Sequence, residues 1–144
     1  MESDSLLRVF LDTNVLFSGI YQEAGASGKL LDLAAFGSFT PVVSVAVIVE
    51  LVRNVQRKAP HLMSRVERFF EESHFEVVAN PTRIQVQAWI DRGAAEDSRI
   101  VAAALVPEVD YLCTGDQRFR ERISGIDLAP KMVSPRQLLE LIQQ

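Results

Sequence analysis

The chain has 144 residues, of which 48% are hydrophobic and 24% are charged, and its formal net charge is −4. This length and composition indicate a single globular domain over residues 1–144 and exclude a disordered or fibrous chain. The acidic balance excludes binding to nucleic acid through overall positive charge, so any such contact has to come from a local basic patch or from bound cations.

Short runs of β-branched and aromatic residues alternate along the chain with longer segments whose apolar residues recur at helical spacing. The short runs predict strands at residues 9–11, 39–43, 75–79, 110–114 and 128–133. The periodic segments predict helices at residues 14–20, 29–36, 44–57, 62–72, 82–93, 98–105, 117–123 and 134–142. Strands that alternate with helices predict an α/β fold, a three-layer α/β/α sandwich around a central parallel sheet.

Several residues are expected to begin or end these helices. Ser44 is a candidate N-cap of the third helix, and Gly37 is a candidate C-cap of the second. Gly19, together with a loop of small residues over 23–28, is expected to close the first helix. Pro60 ends the third helix, because proline cannot donate the backbone hydrogen bond that continuation requires.

Acidic residues stand near the expected carboxyl ends of the strands. Asp12 follows the first strand and Asp116 follows the fourth. Asp97 begins the helix that leads into the fourth strand, and Glu50 lies about two turns into the helix after the second strand. Ligands bind outside the carboxyl ends of parallel strands, so these acids are candidates for one site.

Each acid also has a purely structural explanation. Asp12 and Asp116 stand where aspartate commonly caps a helix. The helix macrodipole favours a carboxylate at Asp97 whatever its function. Glu50 lies at helical spacing from Arg53 and so belongs equally well to a solvated helix face.

A cluster of all these carboxylates would repel itself unless hydrogen bonds or cations offset its charge. Oxygen ligands suit Mg²⁺ or Mn²⁺, and two such ions about 4 Å apart can activate water and stabilise the leaving oxygen of a phosphodiester. The neutral side chains of Asn14 and Thr114 are placed to orient the acids or a metal-bound water. This combination favours metal-dependent cleavage of phosphodiester bonds.

Several segments of the chain together resemble the PIN domain family. They are Asp12-Thr13-Asn14-Val15-Leu16, Val49-Glu50-Leu51, Asp97 ahead of the helix from Ile100 to Leu105, and Asp110-Tyr111-Leu112-Cys113-Thr114-Gly115-Asp116. The resemblance extends from Val9 to about Ile123 and implies an RNase H-like α/β/α domain that cuts RNA. The catalytic and metal-binding residues that it implies are Asp12, Glu50, Asp97 and Asp116, with Asn14 and Thr114 as polar support.

Two points about the implied metal-binding acids stay open, the identity of the third acid and the presence of a second metal site. Glu96 and Asp97 are adjacent, and Asp97 is chosen because its spacing to the following helix fits. Gln117 and Arg118 follow Asp116 where a further acid would complete a second metal site. The resemblance therefore supports a first metal ion better than a second.

The resemblance also implies partners. Many small bacterial PIN proteins are VapC-like toxins that an antitoxin neutralises, and they commonly form homodimers. It therefore implies a Mg²⁺ or Mn²⁺ cofactor, an RNA substrate, an antitoxin protein and a second copy of the chain.

Two groups of arginines are candidates for phosphate contacts. Arg118, Arg120 and Arg122 lie close in sequence to the last acid of the predicted site. Arg53 belongs to a longer basic stretch that ends at Arg68, for which a solvated pair of helix faces is the simpler explanation.

The remaining reactive side chains point to no second site. His61 and His74 lack the spacing of a metal site and are expected at the surface, whereas Cys113 lies within a strand and is expected in the core. One cysteine and two histidines also exclude a thiolate–imidazole zinc site. A single cysteine, an acidic start and the lack of a long apolar run indicate a cytoplasmic protein without membrane contact.

Three functions stay open at this point. The first is a metal-dependent endoribonuclease, the toxin half of a toxin–antitoxin pair. The second is a catalytically weak or inactive PIN-fold module that binds nucleic acid or regulates, in which the acids hold a cation weakly or only cap helices. The third is a phosphatase or phosphotransfer domain, which ranks last because a haloacid-dehalogenase-like enzyme needs an Asp where this chain has Asn14. A response-regulator receiver would also need an acidic pair before the first strand and a late lysine.

Overall fold

The computed structural model describes residues 6–105 and 107–143. Within this part of the chain one sheet is formed by parallel strands. They are β1 (Arg8–Leu11), β2 (Thr40–Ser44), β3 (Glu76–Val78), β4 (Tyr111–Cys113) and β5 (Met132–Val133). Their order is β3-β2-β1-β4-β5, so the chain moves outward to one edge and then returns to the other side of β1. The crevice between β1 and β4 is therefore the switch point where ligands bind in such sheets.

The helices that flank the sheet follow the predicted alternation. They are α1 (Thr13–Tyr21), α2 (Ala26–Phe36), α3 (Val45–Lys58), α4 (Met63–Glu72), α5 (Arg83–Asp91), α6 (Ser98–Leu105), α7 (Gln117–Ser124) and α8 (Pro135–Gln143). Short 3₁₀ turns at Pro60–Leu62 and Ala95–Asp97 precede α4 and α6. The predicted α/β/α fold with a central parallel sheet is confirmed.

The core is built on the central strand. Val9, Phe10 and Leu11 have no exposed surface, and Leu112 and Cys113 of β4 are equally buried. Burying an aliphatic or aromatic side chain of this size contributes about 1.5–3 kcal/mol to folding. The expected core position of Cys113 is confirmed, and the short length of β1 is compatible with its central place because neighbours cover it on both sides.

Helix caps are observed at several boundaries, and those predicted at Gly37 and Ser44 are among them. Gly37 ends α2 with a φ of 95°, a conformation that favours glycine. The Ser44 hydroxyl accepts a hydrogen bond from Val47 N at the start of α3. Thr82 and Gln85 form a reciprocal capping box at the start of α5. Local sequence signals were sufficient at these positions because each cap bonds within its own turn.

The prediction that Gly19 closes the first helix is wrong. Gly19 lies inside α1, and a Cβ atom there would stand 2.6 Å from Leu31 Cδ1 of α2. Gly28, which was placed in a loop, lies inside α2, where a Cβ atom would stand 2.2 Å from the Glu23 carbonyl oxygen. Both glycines allow α1, α2 and their connection to approach closely, so α2 begins three residues earlier than predicted, at Ala26.

The last strand is also shorter than predicted. Only Met132–Val133 pairs with β4, whereas the sequence predicted a strand from residue 128. Leu128 has a φ of 64°, which is not a strand conformation, and Pro130 cannot donate a ladder hydrogen bond.

Arg8 joins the amino ends of three strands. Its backbone N–H donates to the Asp110 carboxylate, 2.8 Å away, next to β4. Its guanidinium donates to Glu76 at the start of β3 and to the Pro107 carbonyl. These bonds lie at the end of the sheet opposite to Asp12, so they hold the strands together away from the candidate site.

No helix in the described part of the chain combines the length and the apolar character needed to span a bilayer.

Candidate metal centre

Asp12 stands where β1 ends and α1 begins, beside the end of β4. Its Oδ1 accepts a hydrogen bond from Thr13 N, at 2.8 Å, which is the bond of a helix cap. Its Oδ2 accepts bonds from the Thr114 hydroxyl, at 2.8 Å, and from the Asn14 amide, at 3.1 Å. Asp12 therefore caps α1 with one oxygen while its other oxygen faces the crevice between the two strands.

Asn14 and Thr114 connect the loops that follow β1 and β4. The Asn14 amide also donates to the Thr114 hydroxyl oxygen, and Asn14 Oδ1 accepts from Gly115 N at 3.0 Å. The Thr114 hydroxyl oxygen in turn accepts from Asp116 N at 3.2 Å. This network fixes the orientation of the Asp12 carboxylate. Asn14 and Thr114 are the two residues that the sequence predicts as its polar support.

The charge of Asp12 is poorly compensated by the protein. Burial raises the pKa of Asp12 above the usual value for aspartate, the bonds from Thr114 and Thr13 oppose this effect, and the charges of Glu50 and Asp116 raise the pKa further. Among the ion pairs of the described residues none involves Asp12. A half-buried carboxylate that faces two other acids without a basic partner is a position where a cation would be stabilised.

Glu50 and Asp116 are the two acids whose charges act on Asp12, and they belong to different elements of the fold. Glu50 is exposed on α3 and shares with Asp12 a cavity of about 210 Å³. Asp116 caps α7, since its Oδ1 accepts from Phe119 N at 3.1 Å. The carboxylates of both residues are close enough for their charges to raise the pKa of Asp12.

Asp97 has a different partner. Its side chain is 11% exposed, and both of its carboxylate oxygens accept hydrogen bonds from Arg122 of α7, at 2.8 and 2.9 Å. The neighbouring Glu96 is exposed. The hydrogen bonds to Asp97 raise the pKa of Arg122 above its usual value, and the charges of Asp97, Glu96 and Asp116 raise it further.

The structure thus brings Asp12, Glu50 and Asp116 towards one another and offsets the charge of Asp97 with an arginine. In residues 6–105 and 107–143, no three His, Cys, Asp or Glu side chains are close enough to form a ready-made metal cage. The metal-binding role of each acid, including the choice of Asp97 over Glu96, stays a prediction.

The predicted phosphate contacts lie in three different environments. Arg120 donates to the Thr114 carbonyl at 2.6 Å and therefore supports the end of β4. Arg122 binds Asp97, whereas Arg118 and Arg53 are exposed. These two exposed arginines are the members of the predicted set whose side chains extend into solvent, and their contact with phosphate stays a prediction.

Residues outside the predicted set also line the cavity shared by Asp12 and Glu50. Arg99 of α6 stands on its wall, as does Asn80, whose Oδ1 accepts from Ala46 N at 2.9 Å. Asn80 follows β3 and so lies at the carboxyl end of a strand. This position could have identified it as a candidate site residue from the sequence. Arg99 gives no such signal, because its nearness to the centre depends on how α6 packs.

The other reactive side chains are as expected. His61 and His74 are exposed. Burial raises the pKa of Cys113 to about 12, so its thiol stays protonated and is not a nucleophile.

The sequence carries the signature that decides the family. A family model of the PIN domain matches residues 8–118, which include both strand ends of the centre. The chain belongs to the PIN domain family. No curated protein matches its sequence.

Solved structures share the PIN fold of this chain. VapBC2 from Rickettsia felis, bound to a DNA fragment from its promoter, has a TM-score of 0.66 and 17% identity, over 89% of this chain and 98% of the other. DNA-bound VapBC from Salmonella typhimurium has a TM-score of 0.65 and 21% identity, over 90% and 99%. PAE2754 from Pyrobaculum aerophilum has a TM-score of 0.67 and 15% identity, over 95% and 90%.

The donor set of this PIN domain fits a hard divalent cation. The groups in or near the crevice are carboxylate, amide and hydroxyl oxygens, and the one nearby sulfur, Cys113, is protonated and buried. The half-buried charge of Asp12, which has no basic partner among the described residues, is the physical reason for a cation to bind there. PIN domains generally use divalent metal ions.

Proposed function

We propose that this PIN domain is a Mg²⁺- or Mn²⁺-dependent endoribonuclease whose centre is built on Asp12. The observation that carries the proposal is the half-buried Asp12 carboxylate, held by three hydrogen bonds and facing the charges of Glu50 and Asp116 without a basic partner among the described residues. A residue that only capped α1 would need neither the additional acids nor the bonds from the loop after β4.

Asp12, Asp116 and Glu50 are the residues that would hold the cation. When bound, a divalent cation supplies an activated water and offsets the charge of the leaving oxygen in phosphodiester hydrolysis. Thr114 and Asn14 keep the Asp12 carboxylate oriented, because each donates a hydrogen bond to its Oδ2. The exposed position of Glu50 beside the cavity leaves its carboxylate accessible to a cation that enters from solvent.

Likeness to the VapBC structures supports a toxin that pairs with an antitoxin protein. We also propose that the chain forms a homodimer. Exposed apolar side chains on α1 and α3, such as Tyr21, Val45 and Val49, provide surface that a protein partner would cover. Light scattering on the purified chain tests the homodimer, and a monomer at micromolar concentration would contradict it.

A catalytically inactive PIN module that binds nucleic acid is the second candidate. The observation that favours it is the ion pair between Asp97 and Arg122, which removes one predicted acid from the set available to a metal. The two candidates differ in whether RNA is cut, so one assay separates them.

The test is cleavage of a mixed set of single-stranded and hairpin RNAs in Mg²⁺ or Mn²⁺, with EDTA as the metal-free arm. We expect cutting by the wild type and none by Asp12→Asn. The matched control is Asp32→Asn, which removes the same charge from an exposed position on α2 and should cut normally. Cutting that survives in Asp12→Asn would contradict the proposed centre, and binding without cutting would favour the inactive module.

A further inference from the structure

A groove of about 590 Å³ adjoins the proposed centre at Asn14 and Asp116. On its other side it is bordered by the amino ends of α2 and α8. We refer to this surface as the α2 groove, and the residues that define it are Ser18, Gly25, Ala26, Ser27, Ser134 and Arg136. No sequence signal predicts a site here, because residues 23–28 read as a loop of small residues and not as the start of a helix.

The amino end of α2 is left without a cap. Gly25 is its N-cap residue and provides no side-chain hydrogen bond. The backbone N–H groups of Ala26 and Ser27 find no acceptor among the residues that the structure describes. The first turn also contains no acidic residue, so its partial positive charge is not offset within the helix.

Ser27 adds a buried hydroxyl to this helix end. The residue is 7% exposed, it lines the groove, and its hydroxyl has no hydrogen-bond partner in the described part of the chain. A buried polar group without a partner costs stability, and a ligand with acceptor oxygens would satisfy it. An unpaired hydroxyl and free N–H groups at the end of an 11-residue helix form a site for an oxyanion.

Arg136 supplies a positive charge where the amino end of α8 borders the groove. It is exposed in the first turn of α8, and none of the ion pairs between described residues includes it. The nearest loop acid in sequence, Glu23, is paired with Arg65 at 3.0 Å. Asp116 is the carboxylate on this groove, and the metal ion of the proposed function would offset its charge.

We propose that the α2 groove binds a backbone phosphate of the RNA strand next to the phosphate that is cut. This inference rests on the proposed function, because it takes the strand to run from the metal centre past Asn14 and Asp116 into the groove. The phosphate oxygens accept from Ala26 N, Ser27 N and the Ser27 hydroxyl, and Arg136 balances their charge. Contacts to phosphate hold an RNA strand without recognising its bases. The groove therefore adds binding affinity and positions the strand, but it does not add sequence specificity.

The experiment measures binding of a fluorescein-labelled single-stranded RNA hexamer by anisotropy, between 50 and 200 mM salt. Asp12→Asn is the parent protein, because it prevents cleavage. It loses the metal ion together with the negative charge of Asp12, and the loss of that charge takes the place of the compensation that the ion gives in the wild type. The test variants are Arg136→Gln and Ser27→Ala in that parent. The matched control is Arg83→Gln, an exposed arginine that follows β3 at the opposite edge of the sheet.

We expect Arg136→Gln to weaken binding about tenfold at the lowest salt and to reduce the slope of log K against log salt by about 0.7, the contribution of one phosphate contact to a single strand. Ser27→Ala should weaken binding several-fold without a change in slope, because no charge is lost. Arg83→Gln should match the parent. The amide NMR signals of Ala26 and Ser27 should shift when RNA is added to the parent.

Binding by Arg136→Gln that equals the parent, unmoved amide signals, or a parent that binds no RNA would each overturn the α2 groove as a phosphate site. These results do not depend on catalysis. A wild type that cuts RNA together with an unaffected Arg136→Gln would refute the groove and leave the nuclease intact. A wild type that never cuts, with RNA binding that depends on Arg136, would refute the nuclease and support the groove.

Discussion

Asp12 combines a structural and a chemical role, and the two can be separated by changing a single atom. The Asn side chain of Asp12→Asn keeps an oxygen to accept from Thr13 N, but it places an amide where Oδ2 now accepts from Thr114 and Asn14. Partial removal from water and the nearby acids make the ionised carboxylate less favourable, as the raised pKa of Asp12 indicates. The loss of one acceptor is therefore partly offset by the loss of a buried charge.

We predict that Asp12→Asn folds with a melting temperature close to that of the wild type but no longer responds to metal. Mn²⁺ at about 100 times its dissociation constant should raise the wild-type melting temperature by roughly 5–10 °C, because a ligand that binds only the folded state stabilises it by about 2.7 kcal/mol. RNA cleavage should fall at least about 100-fold in the variant. Thermal melts with EDTA and with Mn²⁺ measure the first effect. A variant that Mn²⁺ still stabilises as much as the wild type would remove Asp12 from the centre.

Arg122 offsets the negative charge of Asp97, the fourth acid of the predicted centre. Its guanidinium binds both oxygens of Asp97 and lies within range of Asp116. It therefore offsets charge that a metal ion would otherwise offset.

We predict that Arg122→Gln binds Mn²⁺ more tightly than the wild type and has a lower melting temperature in EDTA, because buried Asp97 is left without its partner. Isothermal titration with Mn²⁺ and metal-free melts measure the two effects. Arg118→Gln is the matched control, since Arg118 is exposed on the same helix and should leave both quantities nearly unchanged. Equal Mn²⁺ affinity in wild type and Arg122→Gln would show that the Asp97–Arg122 pair is only structural.

At the scale of helices, the contact between α1 and α2 depends on a residue without a side chain. Gly19 would place a Cβ atom 2.6 Å from Leu31 Cδ1 and 2.9 Å from the Ser27 carbonyl oxygen. The first contact can be relieved by a side-chain rotation, but the second is with backbone. Gly19→Ala would therefore require α1 and α2 to separate.

We predict that Gly19→Ala lowers the free energy of unfolding by about 1–3 kcal/mol, the range expected for overpacking a core. The control is Gly125→Ala, because that glycine has a negative φ and a Cβ atom there would meet no neighbour. It should be neutral or stabilise slightly. Urea denaturation of the two variants provides the comparison. A Gly19→Ala protein as stable as Gly125→Ala would mean that the helices tolerate a wider separation.

Gly19 also shows why some elements could be predicted and others could not. The caps at Ser44 and Thr82 were predictable because the bonding groups lie within three residues of each other. The role of Gly19 depends on Leu31, which is brought beside it only when α1 and α2 pack. In the sequence alone, a glycine is equally compatible with the end of a helix and with a close contact between two helices. Only the tertiary structure distinguishes these cases.

The same distinction applies to the centre. The bonds among Asp12, Asn14 and Thr114 agree with the expected meeting of β1 and β4 at their carboxyl ends, because that meeting follows from the parallel sheet alone. The pairing of Asp97 with Arg122 joins a 3₁₀ turn to α7 and depends on how those elements pack. No sequence spacing specifies it, which is why Arg122 was expected at a phosphate.

At the scale of the whole molecule, stabilising charges and candidate functional charges lie at opposite ends of the sheet. At the amino ends of the strands, the Arg8 guanidinium pairs with Glu76 and the Arg8 backbone N–H donates to Asp110, so both of these acids receive a hydrogen bond. Asp12 and Asp116, at the carboxyl ends, are not paired with a base in the part of the chain that the structure describes. The two ends should therefore respond differently to substitution.

We predict that Arg8→Met reduces the free energy of unfolding by about 1–2 kcal/mol, because Glu76 and the Pro107 carbonyl lose a donor that is partly exposed to solvent. The backbone N–H of residue 8 still donates to Asp110, so the strand register is kept. The Mn²⁺-induced rise in melting temperature and the rate of RNA cleavage at 25 °C should equal those of the wild type, since the centre lies at the other end of β1. Asp12→Asn should show the reverse pattern, with stability kept and metal response lost. Loss of the metal response in Arg8→Met, at a temperature where circular dichroism shows it folded, would mean that the amino ends of the strands help to set the geometry of the centre.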